Sequence, residues 1–155
     1  MTDYKSAVER FVWETLKKCP KAVKYFSDAQ GNLKLGYQIT TQDRELPFIR
    51  WSKPTDAPVK FAISQMPYQR EAEVSIDFFT RDVRGEGRAD KLSILEVIKE
   101  VRDKFTLPSG DRGLQILFCD VVENEGDPEK TKDGIIYHFY LELDFNYTDF
   151  NSTTN

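Results

Sequence analysis

The sequence predicts an α+β protein in which two helices pack on one face of a mainly antiparallel sheet with a long C-terminal strand. The clearest observation is the segment 135–147, where apolar and polar side chains alternate as they do in a half-buried strand. In two further segments, 4–16 and 88–105, apolar residues recur at the spacing of amphipathic helices. Antiparallel-looking strands grouped with such helices are typical of a layered α+β domain.

The remaining elements follow from the same patterns. Thr2 or Asp3 can cap the first helix, which breaks at Pro20, and a short helical turn is predicted up to Phe26. A turn at 28–32 precedes the first strands. Strands are predicted at 47–51, 59–65, 70–81 and 114–122. Loops are predicted at 82–87 and 123–134.

The final strand is unusually long for a domain of this size. At about 3.3 Å per residue it would run roughly 43 Å, whereas the compactness expected at this chain length gives a diameter of about 30 Å. We therefore expect the strand to project beyond its own core, where a neighbouring subunit could pair with its edge. Phe145 and Tyr147, near its end, are predicted subunit-interface residues.

Length and composition limit the functional classes. The 155 residues predict one domain, 1–148, followed by a disordered polar tail, 149–155. A net charge of −4 argues against a nucleic-acid-binding surface, because phosphate contacts need clustered Lys and Arg. No apolar run approaches the length of a membrane-spanning helix, so no membrane partner is expected. Two cysteines predict reduced thiols in a cytosolic product rather than a disulfide framework.

The face of the sheet away from the helices is predicted to be acidic and wet. Carboxylates spread over neighbouring strands repel one another and would not lie unpaired under a further layer. The side chains assigned to this face are Glu71, Glu73, Asp77, Glu142 and Asp144.

Four patterns that resemble chemical sites are better explained structurally. His138 shares a strand face with Glu142 and Asp144, but neighbours on one face lie roughly 7 Å apart at each step, too far to converge on a metal. Cys119 could pair with His138 as nucleophile and base, although its apolar surroundings favour an inert core thiol. The segment 84–88 lacks the ending of a phosphate loop, and the acidic stretch 123–133 reads as turns rather than a calcium loop. We expect no enzyme activity and no catalytic, metal or cofactor site.

The order of elements resembles the tail terminator, or tail completion, proteins of long-tailed bacteriophages and phage-tail-like particles. The similarity covers roughly 4–148 and depends on the order of the elements and the character of their residues rather than on an invariant motif. It is carried by the N-terminal helix, the Leu46–Ile49 strand entry, the charged alternating strand Arg70–Thr80, the helix Ala89–Phe105 and the aromatic end Phe145–Tyr147. The segment 27–45 has no counterpart in the resemblance.

The resemblance implies a structural virion protein rather than an enzyme. Such a protein forms a homohexameric ring that caps the tail tube, stops its polymerisation and provides the surface on which the head docks. The implied partners are further copies of the chain, the tail tube protein and a neck or head-completion protein, with DNA passing through without specific binding. The implied location is the head-proximal end of the virion tail, reached from the host cytoplasm during assembly. A head–tail connector or neck adaptor, and a small cytosolic ligand-binding module, remain as alternatives.

In a ring, the two loops of opposite charge could meet between adjacent subunits. One loop is basic and the other acidic, and both contain glycines. The predicted interface residues are Arg81, Arg84 and Arg88 on the first loop, and Glu123, Glu125, Asp127 and Glu129 on the second. Two unrelated solvated loops are an equally good explanation of the pattern.

Overall fold

The computed structural model confirms an α+β fold with a mainly antiparallel sheet and a long C-terminal strand. It describes residues 7–37, 47–58, 69–82, 87–106, 110–111, 114–132 and 134–149. Within these ranges there are three helices, α1 Ala7–Lys17, α2 Pro20–Phe26 and α3 Gly87–Thr106. The predicted helix start at Thr2 or Asp3, the predicted strand 59–65 and the tail beyond Asp149 lie outside the described residues.

Seven strands of the described chain form a single sheet. They are β1 Leu35–Tyr37, β2 Phe48–Pro58, β3 Gln69–Asp82, β4 Gly110–Asp111, β5 Leu114–Glu125, β6 Glu129–Thr131 and β7 Gly134–Asp149. Their order across the sheet is β1-β2-β3-β7-β5-β4, and β6 also pairs with β7. Only the β1–β2 pair is parallel, so the sheet is mixed but dominated by antiparallel pairs.

The long strand β7 is central rather than projecting. On one side it pairs with β3 along its length, from Ile135 opposite Asp82 to Thr148 opposite Gln69. On the other side it pairs first with β6 and then with β5, as far as Asp149 opposite Leu114. The prediction that its edge adds to a neighbouring subunit is therefore wrong, because both edges are occupied within the chain. Its length matches that of two long neighbours, which the alternation of one strand does not reveal.

The predicted loop 123–134 is also wrong over most of its length. β5 continues to Glu125, and the chain then turns through Gly126 into the short strand β6. The Gly126 amide donates a hydrogen bond of 2.7 Å to the carbonyl of His138, which extends the β5–β7 ladder into the turn. These acidic residues are thus largely strand residues, since exposed strands accept charged side chains on their solvent side.

The core lies between the helices and one face of the sheet. Phe11 of α1 makes edge-on ring contacts with Phe105 of α3 at 5.2 Å and with Phe145 of β7 at 5.1 Å, which ties both helices to the central strand. The predicted apolar stripe of α3 is Ile94, Leu95, Ile98, Val101 and Phe105, and all of these except the partly buried Leu95 are buried in this core, together with Val97. None of the described helices combines the length and apolar character needed to cross a bilayer.

Local sequence explains where helix α2 begins and how the chain turns after it. Pro20 occupies its first turn, where the missing amide hydrogen has no helical acceptor to lose. The chain then reverses at Asp28, whose carboxylate accepts hydrogen bonds of 2.9 Å from the amides of Gln30 and Asn32. Gly31 has a φ of +82°, a conformation that glycine adopts without steric cost. This turn directs the chain into β1, in a segment where the sequence shows little periodicity.

Candidate functional site

The face of the sheet opposite the helices presents a row of carboxylates. Glu73 of β3 lies directly opposite Asp144 of β7, and Asp144 lies directly opposite Asp120 of β5. All three residues are exposed. Since paired residues of a sheet place their side chains on the same face, the three carboxylates form one line across three strands.

Two further carboxylates extend this surface, which we call the acidic face. Glu142, exposed on β7, lies between Ser75 and Val122 in the next row, and Glu71 is exposed at the other side of the carboxylate line. The acidic face therefore consists of Glu71, Glu73, Asp120, Glu142 and Asp144. A shallow groove runs along it, with Glu73, Asp120, Glu142 and Asp144 among its lining residues.

Like charges directly opposite one another on a sheet destabilise it. Exposure to water screens these carboxylates, so their mutual repulsion has a small cost. The resulting surface repels phosphate and attracts cations. Within the described residues, no group of three or more His, Cys, Asp or Glu side chains is placed to hold a metal ion.

Sequence reasoning missed Asp120. It lies in the predicted strand 114–122, whose other residues are uncharged and mostly apolar. Asp120 is the only charged residue of that run, and a single charge in a buried strand is the signal that could have identified an exposed position. The register of β5 against β7 then determines that this position faces Asp144.

Asp77 lies on the predicted face of the sheet, but it is buried rather than wet, so it does not belong to the acidic face. It is only 6% exposed. Its carboxylate accepts a hydrogen bond from Arg50 Nε at 3.2 Å and lies 2.7 Å from His138 Nε2. A buried carboxylate is stable only when it is paired in this way, so Asp77 is a structural anchor between β2, β3 and β7.

His138 lies in a small second core on the same side of the sheet. Its ring stacks on Phe79 with centroids 4.5 Å apart, and Phe79 stacks in turn on Phe48 at 4.9 Å. Phe48, Phe79 and Ile136 are all buried. These contacts explain His138 as a packed and hydrogen-bonded residue.

The cysteines lie apart from His138. Cys119 pairs with Phe145 in register and so lies on the helix face, whereas His138 lies on the opposite face. Burial, followed by the charges of Asp120 and Asp144, raises the pKa of the Cys119 thiol to about 12. A thiol that stays protonated is a poor nucleophile, so the alternative of a Cys119–His138 pair fails on geometry and on electrostatics.

Two of the predicted interface residues lie in the core. Phe145 is 0% exposed and Tyr147 is 3% exposed, so neither can meet another subunit without unfolding its own. The Tyr147 hydroxyl donates to the Asp56 carboxylate at 3.0 Å, and Arg70 Nε donates to the same group at 2.9 Å. The prediction for Phe145 and Tyr147 is corrected accordingly: their apolar character serves the helix–sheet core.

The predicted contact between charged loops stays a prediction. Glu123 already pairs with Arg102 of α3 at 2.8 Å within the chain. Glu125, Asp127 and Glu129 are exposed. Arg81 is the next-to-last residue of β3 and Arg88 the second residue of α3, whereas Arg84 lies outside the described residues.

Comparison with known proteins adds no relationship. No model of a known protein family matches the chain, and no curated protein matches it significantly. The geometry of the acidic face and the order of the elements are therefore the features from which a function can be inferred.

Proposed function

We propose that the protein is a structural assembly protein of the tail terminator type, which forms a ring on the end of a phage-like tail tube. In this role it stops tube growth and offers the surface on which the head docks. The ring consists of copies of this chain. In the tail terminator family, which the chain resembles, the number of copies is six. The acidic face lines the channel through which DNA passes.

The observation that carries this proposal is the uncovered row of carboxylates on Glu73, Asp144 and Asp120. A protein that keeps like charges opposite one another on a sheet loses a little stability at each pair. A channel wall gives that arrangement a use, because it repels the phosphates of passing DNA and prevents adhesion. The net charge of −4 agrees with a surface that does not bind nucleic acid.

The helical side of the molecule differs in charge from the acidic face. Four exposed lysines cluster where α1 ends and α2 begins, namely Lys17, Lys18, Lys21 and Lys24. The two sides therefore present different potentials to their surroundings. Such polarity suits a ring subunit whose inner and outer surfaces meet different partners.

The decisive experiment is electron microscopy of particles assembled without this protein. We expect tails of irregular and extended length, because nothing ends polymerisation of the tube. Tails of normal length without heads would instead assign the protein to the neck as a head–tail adaptor. Unchanged particles would overturn the proposal.

A second experiment tests the channel wall specifically. Replacing Glu73, Asp120 and Asp144 together by lysine is expected to leave tail length normal but to impair DNA delivery, because phosphate would adhere to the wall. The matched control is Lys18→Glu, an exposed change of charge on the helical side. Equal infectivity of the triple variant and the control would contradict the lumen assignment.

A further inference from the structure

Along most of β5, one edge of the sheet is open among the described strands. The short outer neighbour of β5, β4, pairs only with Leu114 and Gln115. Beyond these residues, no other described strand lies against the outer side of β5. An edge of this length presents a row of backbone groups to which another strand can pair.

The direction of the backbone groups on β5 follows from one hydrogen bond. Gly126 N donates to the carbonyl of His138, so this pair is hydrogen-bonded. In an antiparallel ladder, hydrogen-bonded pairs alternate with pairs in which the amide and carbonyl of each residue point away from the facing strand. Cys119, Val121, Glu123 and Glu125 therefore direct their amides and carbonyls outward, and the side chains of these residues lie on the helix face.

At the opposite edge of the sheet, β1 is the outermost of the described strands. There Ile49 N donates to the carbonyl of Lys34 at 2.8 Å, so the backbone of Lys34 is directed toward β2. Alternate residues of a parallel strand direct their backbone groups to the same side, and the amide and carbonyl of Tyr37 therefore point away from β2. Tyr37 lies on the helix face, like the outward-directed residues of β5. Farther along, β2 contains Pro54 and Pro58 and an irregularity between Ser52 and Thr55, features that obstruct strand pairing.

The two edges differ in charge. β5 contains Asp120, Glu123 and Glu125 but neither lysine nor arginine. At the other edge, Lys34 precedes β1, and Lys53 lies on β2 beyond the end of β1, with its ammonium 3.3 Å from Asp56. The exposed Val122 of β5 lies on the acidic side of the sheet and the exposed Tyr37 of β1 on the helix side, so these two apolar side chains do not meet across such a seam.

We propose that the open edge of β5 in one copy pairs antiparallel with β1 of the next copy, which deepens the proposed ring function and rests on it. β1 runs opposite to β5 within the chain, so a cyclic arrangement brings the two edges together as an antiparallel pair. The facing residues have side chains on the helix face in both strands. The sheets then continue around the ring, with every helical layer on one side and every acidic face on the other.

A twofold pairing of β5 with β5 is the competing arrangement. It would bring two sets of Asp120, Glu123 and Glu125 to one seam with no cation on either strand, although Arg102 of α3 already pairs with Glu123 within each chain. Like charges brought together at an interface oppose association. Pairing with the edge that carries Lys34 and Lys53 avoids this repulsion.

Disulfide trapping distinguishes the two arrangements. Residues in a hydrogen-bonded antiparallel pair have Cα atoms about 5.5 Å apart, within the range that a disulfide bridges. In a Cys119→Ala background, Tyr37→Cys is combined in turn with Val121→Cys, Glu123→Cys and Glu125→Cys. Oxidation of the full chain is expected to give, for one combination, covalent multimers that increase by one subunit up to the size of the ring.

The controls are the same cysteines introduced singly, which should give no ladder. A dimer formed by a single β5 cysteine, including Val122→Cys, would establish twofold pairing and overturn the proposal. The proposal would also be overturned if sedimentation showed oligomers that none of the cysteine combinations cross-links. A chain that stayed monomeric throughout a concentration series would overturn it as well. The length of tails assembled without the protein tests the terminator function separately. That measurement does not depend on which strand edges pair between copies.

A proline variant provides a second readout. Val121→Pro removes an outward amide while leaving the inward hydrogen bonds of Asp120 and Val122 to β7, so we expect loss of the ring species from sedimentation. Val121→Ala is the matched control, since it keeps the amide. Rings that persist in a folded Val121→Pro protein would contradict the proposed seam, and if the variant does not fold, the cross-linking result decides.

Discussion

His138 and Asp77 are diagonal neighbours on adjacent strands, with His138 Nε2 2.7 Å from Asp77 Oδ1. The other carboxylate oxygen of Asp77 accepts from Arg50 Nε at 3.2 Å. This places a basic partner on either side of one buried carboxylate, on a sheet face that otherwise carries exposed acids. The arrangement separates Asp77 in its structural role from the carboxylates of the acidic face.

Neutralising Asp77 should therefore destabilise the fold, whereas neutralising a member of the acidic face should not. For Asp77→Asn we expect a loss of about 1–3 kcal/mol in the free energy of unfolding, because Arg50 loses a charged acceptor in a partly buried place. The matched control Glu73→Gln is exposed and should change the free energy by less than about 0.5 kcal/mol. Urea denaturation measures both values, and equal stability of the two variants would contradict the distinction.

Gly126 is required for the close approach of the β5–β6 turn to His138. A Cβ at this position would lie 2.9 Å from His138 Nδ1 and 3.3 Å from the His138 carbonyl oxygen. We expect Gly126→Ala to cost about 1–3 kcal/mol through overpacking, measured by thermal denaturation. A double-mutant cycle with His138→Ala should show that the cost depends on the ring, and strictly additive effects would locate the strain elsewhere.

Both cysteines should resist alkylation in the folded protein. Burial raises the pKa of Cys19, like that of Cys119, to about 12 from 9.0. Because only the thiolate reacts, at pH 8 the folded chain should react slower than the unfolded chain by a factor on the order of a thousand. Mass spectrometry after iodoacetamide treatment, with and without urea, measures the ratio. Rapid labelling of Cys119 in the folded state would show that the β5 edge opens.

Tyr147 should make the protein sensitive to alkali. Burial, and then the charge and hydrogen bond of Asp56, raise the pKa of the Tyr147 hydroxyl above its usual 10.0. Because the pKa is higher in the folded state than in the unfolded state, the stability that the protonated Tyr147 hydroxyl provides is fully present below pH 10. That stability is lost as the pH rises toward the folded-state pKa.

Tyr147→Phe tests this sign. At neutral pH the variant should lose about 1 kcal/mol, the value of the hydrogen bond to Asp56. Its free energy of unfolding should then fall less steeply than that of wild type above pH 10, because position 147 no longer carries a phenol that ionises. Chemical denaturation at several pH values, with the exposed Tyr37→Phe as control, checks the prediction. Parallel pH profiles for wild type and Tyr147→Phe would refute it.

The sequence by itself determined the elements whose periodicity is strong. The apolar stripe of α3 and the alternation of β7 each predict which side chains enter the core, because period and burial are linked in helices and strands. The same alternation assigned Glu71, Glu73, Glu142 and Asp144 to the face away from the helices, where they are exposed. Local pattern is sufficient for such assignments since each side chain's face depends only on its own element.

Only the tertiary structure decided which strands are neighbours. Pairing is a contact between distant segments, and the alternation of β7 is the same whether its edges are free or occupied by β3 and β5. Register likewise brought Asp120 opposite Asp144, and brought Asp77 within reach of Arg50 and His138. A carboxylate on the solvent side of a strand is therefore exposed or buried according to what the neighbouring strands carry, which the sequence of one strand does not contain.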